Sequence, residues 1–401
     1  MSSPAQTEKS EWFWRCLQCG TPNAAHADLT NCSECGRPAP DEVVLTGHDW
    51  KVLTHRRGRW IVVATWLYAA MILSFLGLVN WVGEAWWGVS VLLFVPRWLW
   101  PVPLVLLALA SALVRKPTYW ILQGTVALVV LGPCMGFNIP LRQIWGRPAL
   151  DKADHLRVVT YNIGAAEFNE QTFKKWIEKE RVDLVLLQEV ANLSPAMRVY
   201  FNRRGWFHDR SFSLVSRLPI VEDYTPLQDQ STTDQRYSAH LHRIRVRMPS
   251  GTEVGFASVH LPTIRPGFYR LFEGQPKGLT QHVEWWRMEL GRVVASLREM
   301  GDYPVVIGGD FNMPTDNLSM AMLRSFYRFG FEEAGFGFGY TRPSSAPWFR
   351  IDHLLSTPHC HFRRCWVGPD FGSDHLPLVA DVVIPAESRS GVITPPSSSS
   401  S

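Results

Sequence analysis

Eight polar residues stand at the ends of apolar, β-branched runs, where a strand delivers a side chain to a sheet edge. Val158-Val159-Thr160-Tyr161 runs into Asn162, and Leu184-Val185-Leu186-Leu187-Gln188 runs into Glu189. Ala257-Ser258-Val259 ends on His260, and Val305-Val306-Ile307 leads through two glycines to Asp310 and Asn312. Asp352 lies within an apolar run beside His353, and Ser373 precedes Asp374 and His375. Taken singly, a strand-terminal Asn or Asp is more often a turn former, and a lone histidine is more often structural. Six such endings in one region, supplying amides, acids and imidazoles, point instead to one crevice whose walls a sheet holds in place. Acids, amides and imidazoles brought together suit hydrolysis, with carboxylates able to hold a hard divalent ion and an acid or imidazole able to move a proton. His353 faces the opposite side of its strand from Asp352 and reads as structural.

The elements expected to position these groups are strands at Leu156–Asn162, Leu184–Gln188, Phe212–Ser216, Leu241–Met248, Val254–His260 and Val305–Gly308. Helices are expected at Phe173–Glu180 and His282–Met300, the latter with Val283, Trp286, Leu290, Val294 and Leu297 at helical spacing. Strands outnumber helices, as in a sheet-centred α/β or α+β sandwich.

Four of the seven cysteines make a second constellation, Cys16-x2-Cys19 and Cys32-x2-Cys35, with 12 residues between the pairs. Two knuckles at this spacing supply four thiolates for a structural Zn²⁺, which replaces the core that so short a segment lacks. Gly20 and Gly36 follow the second cysteine of each pair, where a tight turn favours glycine. Cys360 and Cys365 are close enough in sequence for a disulfide or for two free thiols, and both readings stand.

Composition separates these two regions. The 401 residues are 46% hydrophobic and 19% charged, with 18 Trp, which excludes disorder and collagen-like repeats. Between Trp60 and Leu141 the only charges are Glu84, Arg97, Arg115 and Lys116. That block is expected to cross a membrane three times, at about 60–79, 98–114 and 118–139. An alternative second span, 86–109, places Arg97 at mid-membrane, so Ala85–Val95 is read as interfacial. Arg56, Arg57, Arg59, Arg115 and Lys116 outweigh the charges of the opposite face. The positive-inside rule then puts the zinc module in the cytoplasm and everything after Ile139 outside. The chain thus divides into a zinc ribbon (1–40), a linker (41–59), a membrane block (60–141), a linker (142–154), a catalytic domain (155–384) and a low-complexity tail (385–401).

The blocks Thr160–Gly164, Leu186–Val190, Ser258–Leu261, Gly308–Pro314, Arg350–Leu355 and Gly372–Val379 occur in the order of the endonuclease/exonuclease/phosphatase superfamily. The resemblance to this deoxyribonuclease I-like group spans about 155–384, and Phe212–Ile220 also resembles one of its strands. It implies an α+β, four-layer αββα sandwich with the site at one edge of its two sheets. It implies Mg²⁺ or Mn²⁺ dependence, with Glu189 as principal ligand, Asn162 beside it and Asp374 nearby. Asp310 would orient or deprotonate the attacking water, and Asn312 would donate to the phosphoryl oxygens. His375, with its tautomer fixed by Asp352, would stand beside the phosphate, and His260 would serve as leaving-group acid or phosphate clamp. The N-terminal Trp14-Arg15-Cys16-x2-Cys19-x3-Asn23 resembles the start of Ran-binding-protein-type zinc fingers, although eight residues rather than six separate Asn23 from the third cysteine. A structural ribbon of unknown partner is therefore the reading taken.

Two features bear on substrate. The region 155–384 carries 26 Lys and Arg against 25 Asp and Glu, without the basic stripe of a nucleic-acid binder. Arg243-Ile244-Arg245-Val246-Arg247 reads as the solvent face of a strand. The segment Pro262–Gly278, after His260, is read as a loop whose aromatics rest on a membrane surface or frame the site. Three spans followed by this domain also resemble a bacterial membrane subgroup that includes teicoplanin-resistance-type proteins. That resemblance implies a phosphoesterase acting outside the membrane on a lipid-linked phosphate or pyrophosphate. A tethered nuclease acting on extracellular DNA or RNA is the alternative, and a sensor built on the zinc module is the non-enzymatic reading.

Overall fold

The computed structural model describes residues 12–16, 18–24, 31–32, 34–37, 47–114, 117–141, 153–164, 168–203, 205–227, 238–301 and 303–385. Residues 41–46 of the first expected linker, most of the second, the tail after Pro385, and the side chains of Arg56, Arg57, Arg115 and Lys116 lie outside the described residues, while the rest of the first linker is helical. Contacts group residues 1–71 with 102–127, and residues 72–101 with 128–401.

The first group begins with a short hairpin, β1 (Trp12–Arg15) and β2 (Pro22–Ala24). Next come α1 (Gly47–Gly77), which runs on into the second group, then α3 (Val102–Val114) and α4 (Pro117–Val129). Against the three spans expected, two helices among the described residues are long and apolar enough to cross a membrane. These are Arg59–Ala85 and Arg97–Val114, and the third expected span gives a shorter apolar helix, Tyr119–Cys134. It ends in a π turn containing Pro133, and Gly136 then takes φ +75°. Proline supplies no N–H to continue the helix, so the apolar run is longer than the helix it forms.

In the second group, the segment after the first apolar helix is not purely interfacial. It forms α2 (Trp87–Phe94), whose Val89 and Leu93 are fully buried and whose Phe94 meets Phe268 and Phe349 edge-on. Glu84 and Arg97, expected as loop charges, are both buried. Glu84 accepts from the backbone N–H groups of Leu318 and Ser319 and from the Ser319 hydroxyl, capping α9 (Leu318–Leu323). The Arg97 guanidinium donates to Leu93 O and Cys134 O and pairs with Asp316 at 2.7 Å. Each charge satisfies backbone groups that would otherwise be orphaned.

The remainder is an α+β sandwich. One six-stranded sheet has the order β13-β14-β3-β4-β6-β5. Its strands are β13 (His361–Val367), β14 (Leu378–Pro385), β3 (Ala153–Asn162), β4 (Leu184–Gln188), β6 (Leu214–Ser216) and β5 (Phe207–His208). The other has the order β11-β12-β10-β9-β8-β7. Its strands are β11 (Arg328–Phe329), β12 (Asp352–Ser356), β10 (Val305–Asp310), β9 (Glu253–His260), β8 (His240–Arg247) and β7 (Ile220–Leu227). Val158, Leu186, Phe256, Val306 and Leu354 fill the space between the sheets. Val159, Tyr161, Val185 and Leu187 point the other way, onto α5 (Glu170–Lys179) and α6 (Pro195–Arg203). Val259, Val305 and Ile307 face α7 (Arg265–Phe272) and α8 (Pro276–Arg298). Four layers result, and strands buried on both faces explain the unbroken apolar runs that end in the polar residues.

The two central parallel pairs, β3 with β4 and β9 with β10, are crossed over by helices, so all four strands end at one edge. Segment Pro262–Gly278, expected as a loop, contains α7. Pro266 sits in its first turn, where a proline costs no hydrogen bond. The arginines of β8 are not a free solvent face. Arg243 is buried, donating to Ser296 O, while Arg245 and Arg247 pair with Glu253. Cys360 and Cys365 are free thiols in the core between the sheets.

His353, on β12, is also buried. Its Nε2 donates to Met313 O at 3.0 Å, and burial pushes its pKa down to about 3. The folded state therefore resists a proton that the unfolded chain accepts near pH 6.5, and stability falls as pH drops through that value toward 3. His353→Gln, which keeps the donor to Met313, is therefore expected to gain stability relative to the parent as pH falls from 7.5 to 5.5, by at most about 1.4 kcal/mol per pH unit, read from urea unfolding of both full chains in detergent.

Candidate active site

The converging strand ends surround a pocket of about 710 Å³ lined by Glu189, His240, His260, Asp310, Asn312 and Asp374, among others. Pairing register explains the convergence. Asp310 lies beside His260 on the parallel strand and opposite Asp352 on the antiparallel one. Asn162 occupies the corresponding position on the facing sheet, and its Nδ2 donates to Asp310 Oδ2 at 3.0 Å and to Glu189 Oε1 at 3.1 Å. The amide thus ties together acids from both sheets. Its oxygen accepts from Gly164 N at 3.0 Å, so Asn162 acts in this structure by holding Glu189 and Asp310.

Glu189 leaves β4 in the left-handed region, at φ +57°. It packs so closely that a Cβ on Gly164 would lie 1.9 Å from Glu189 Oε2. Gly164→Ala is therefore expected to displace the Glu189 carboxylate and to lower hydrolysis at least about 10²-fold. The circular dichroism spectrum should remain that of the parent. Initial rates at saturating metal are the check.

His375 and Asp352 form a buried pair. The imidazole Nδ1 donates to Asp352 at 2.9 and 3.1 Å, leaving Nε2 at 3.6 Å from Asp310 Oδ2. Burial alone would lower the His375 pKa, but Asp352 and Asp310 reverse this and push it up to about 9. Burial raises the Asp310 carboxyl to about 7, against the pull of His375. His260 differs, since burial takes its pKa below the ordinary value despite Glu189 at 3.8 Å. One imidazole is thus charged and the other neutral.

Asn312 sits at φ +53°, its backbone N–H donating to Asp310 Oδ1 at 2.8 Å and its amide to Leu261 O at 2.8 Å. The side chain clamps the exits of β9 and β10. Asp374 lies at the rim. Burial alone would raise its carboxyl, but the Arg342 guanidinium beside it holds it below the usual range. Arg265 is 3.7 Å from the same carboxylate. Arg342 and His240, whose ring lies 6.1 Å from that of His260, were not legible as site residues. Neither sits at the end of an apolar run in a recognisable block.

The donor chemistry around Glu189 fits a hard divalent ion, with carboxylate oxygens facing a polar pocket. Asp310, Asp352 and His375 also bring ligand atoms within 4.8 Å of one another. Asp352 and His375, however, spend those atoms on each other in a fully buried pair. Glu189 therefore suits such an ion better than this pair does.

The model of the endonuclease/exonuclease/phosphatase family matches residues 159–375, which include every one of these groups. The chain belongs to the endonuclease/exonuclease/phosphatase family. Members of the family hydrolyse phosphate esters. Among solved structures, a family protein from Bacteroides thetaiotaomicron is 17% identical, covering 58% of this chain and 99% of its own, with a TM-score of 0.45. The mannosyl-6-phosphatase of the same species is 17% identical over 57% of this chain and 100% of its own, with a TM-score of 0.43. The human Nocturnin catalytic domain with bound sulfate is 17% identical over 59% of this chain and 99% of its own, with a TM-score of 0.41. No curated protein matches the chain.

The N-terminal cysteines form a cluster of their own. All four thiols lie within 4.8 Å of one another, with Cys16 and Cys35 Sγ 3.6 Å apart and Cys19 and Cys32 Sγ 3.6 Å apart. Two equivalent turns build it. Gly20 N donates to Cys16 O and Gly36 N to Cys32 O, with φ +75° and +67° at the glycines. Sulfurs this close match the edges of a thiolate tetrahedron around zinc.

Proposed function

We propose that this protein is a membrane-anchored, divalent-metal-dependent phosphoesterase that hydrolyses a lipid-linked phosphate or pyrophosphate outside the membrane. The observation that carries the chemistry is His375 Nε2 standing 3.6 Å from Asp310 Oδ2, beside a pocket that Asp310 and Glu189 line. Glu189 would hold a Mg²⁺ or Mn²⁺ ion, which when bound would supply charge neutralisation for the phosphate ester. Asp310, oriented by Asn162 and the Asn312 N–H, takes the proton of the attacking water. His375, held by Asp352, places a positive Nε2 where the phosphoryl oxygens gain charge. His260, neutral beside Glu189, orients the group opposite. The four cysteines hold a structural Zn²⁺, and their module faces the cytoplasm.

Connectivity supports three crossings. Glu84 and Arg97 bound the segment between the first two apolar helices, and Cys134 ends the third. All three are bound at one place, Arg97 to Cys134 O and Asp316, and Glu84 to α9. The chain between Pro101 and Cys134 therefore leaves one face and returns to it. In a bilayer, two crossings do that and one does not. Tyr119–Cys134 is only about 24 Å of helix, short for a 30 Å core, and local thinning accommodates the difference. The side chains of Trp66, Leu67, Leu106 and Leu113 are exposed, as lipid-facing residues are and core residues are not.

The discriminating assay gives the purified full chain plasmid DNA or vesicles carrying a lipid phosphate, each with Mg²⁺ or EDTA. Metal-dependent phosphate release from the vesicles supports the proposal. Rapid nicking of DNA with no release from lipid would replace it with the nuclease reading, which the paired arginines of β8 do not favour.

A further inference from the structure

We propose that one face of α7 lies on the bilayer surface and admits a membrane-held anionic headgroup to the pocket. This rests on the lipid-phosphate reading for its substrate but not for its surface. Arg265, Tyr269 and Phe272 follow one another at i, i+4 and i+7, on a single face of the helix. Arg265 lines the pocket, while Tyr269 and Phe272 are 67% and 81% exposed. The stripe therefore runs from a cation at the catalytic mouth to two solvent-facing aromatics. The adjacent stripe, Phe268 and Leu271 with Ile264 at the N-cap, packs against the core, so the exposed aromatics are not needed there.

The occupant follows from what α7 touches. Phe268, one residue from Tyr269, meets Phe94 with ring centroids 5.6 Å apart. Phe94 ends α2, and the chain enters the apolar helix Arg97–Val114 three residues later. Trp86, Trp87 and Trp98 on that segment are exposed, the arrangement of an interfacial aromatic belt. On α8, exposed Trp285 and Met288 flank Arg287, which reaches to 4.0 Å of Glu84 on the same segment. Exposed aromatics at that level meet lipid headgroups and the first acyl carbons. A phosphate at the membrane surface then reaches Arg265 and Arg342 without leaving the bilayer, while its apolar part stays along Tyr269 and Phe272.

The test reconstitutes the full chain in vesicles of phosphatidylcholine and phosphatidylglycerol containing a phospholipid with a diazirine on its acyl chain. After illumination, adducts are expected on residues 265–275 as well as on 98–114. Adducts on 98–114 alone, or none on either, overturn the proposal. In parallel, Tyr269→Ser/Phe272→Ser is assayed on long-chain phosphatidic acid in vesicles and on soluble dihexanoyl phosphatidic acid. The ratio of the two rates is expected to fall about tenfold; an unchanged ratio overturns the proposal. Labelling of α7 in a protein that hydrolyses neither ester upholds the surface and removes the substrate reading alone.

Discussion

Replacing Asp310 by Asn is expected to lower kcat about 10³-fold, the scale of a lost general base in a preorganised site. The substitution preserves shape, and the loss has two sources. The amide cannot take the proton of the attacking water. It also removes one of the two carboxylates that keep His375 charged. Two existing donors, Asn162 Nδ2 and the Asn312 N–H, already aim at residue 310. An amide there accepts only through its oxygen, so one of the two loses its partner. Asp352→Asn should be less severe for water activation but should release the His375 tautomer. The two variants are then separable by their pH–rate profiles. Steady-state rates with KM little changed are the expected pattern for Asp310→Asn, and a kcat within threefold of the parent removes Asp310 from proton transfer.

Replacing Arg97 by Ala is expected to cost about 3–5 kcal/mol of stability, the range for deleting one partner of a buried ion pair. The side chain is 4% exposed and satisfies Leu93 O, Cys134 O and Asp316 together. Without it, two carbonyls lose their donor and Asp316 loses its counter-charge. The expected readout is an unfolding midpoint about 10 °C lower for the full chain in detergent. Arg97→Lys should recover only part of this, because one ammonium cannot span three acceptors held in a planar fork. A midpoint within a degree of the parent shows that the segment between the first two apolar helices is not fixed to the catalytic domain.

These two residues differ in how legible they were. Asp310 was readable because local order announces it: an apolar run, two glycines, then the acid. The same holds for Asn162, Glu189 and His260, each at the end of a strand buried on both faces. The four-layer sandwich was legible through the same blocks. Arg97 was read only as a loop charge, because its partner Asp316 lies 219 residues away and nothing near either residue marks the other. Glu84 is alike, since a carboxylate that caps a distant helix has no local pattern. Arg342 lines the pocket from a loop and pairs with Asp374 there, and nothing beside it in sequence marks it. α7 was hidden by Pro266 and Gly267, which suggest a turn in isolation but suit a helix start and a close approach to α8. The third apolar helix shows the reverse failure. Hydropathy continued past the point where Pro133 stops the helix, so composition overstated its length.

We propose that hydrolysis depends on a divalent ion held by Glu189. The most direct test is phosphate release from lipid phosphate in vesicles by the reconstituted full chain and by Glu189→Ala, with Mg²⁺ and after EDTA. Release by the parent with Mg²⁺, its arrest by EDTA and its absence in the variant at every Mg²⁺ concentration are the expected results. Release that persists in EDTA, or a fully active Glu189→Ala, contradicts the account.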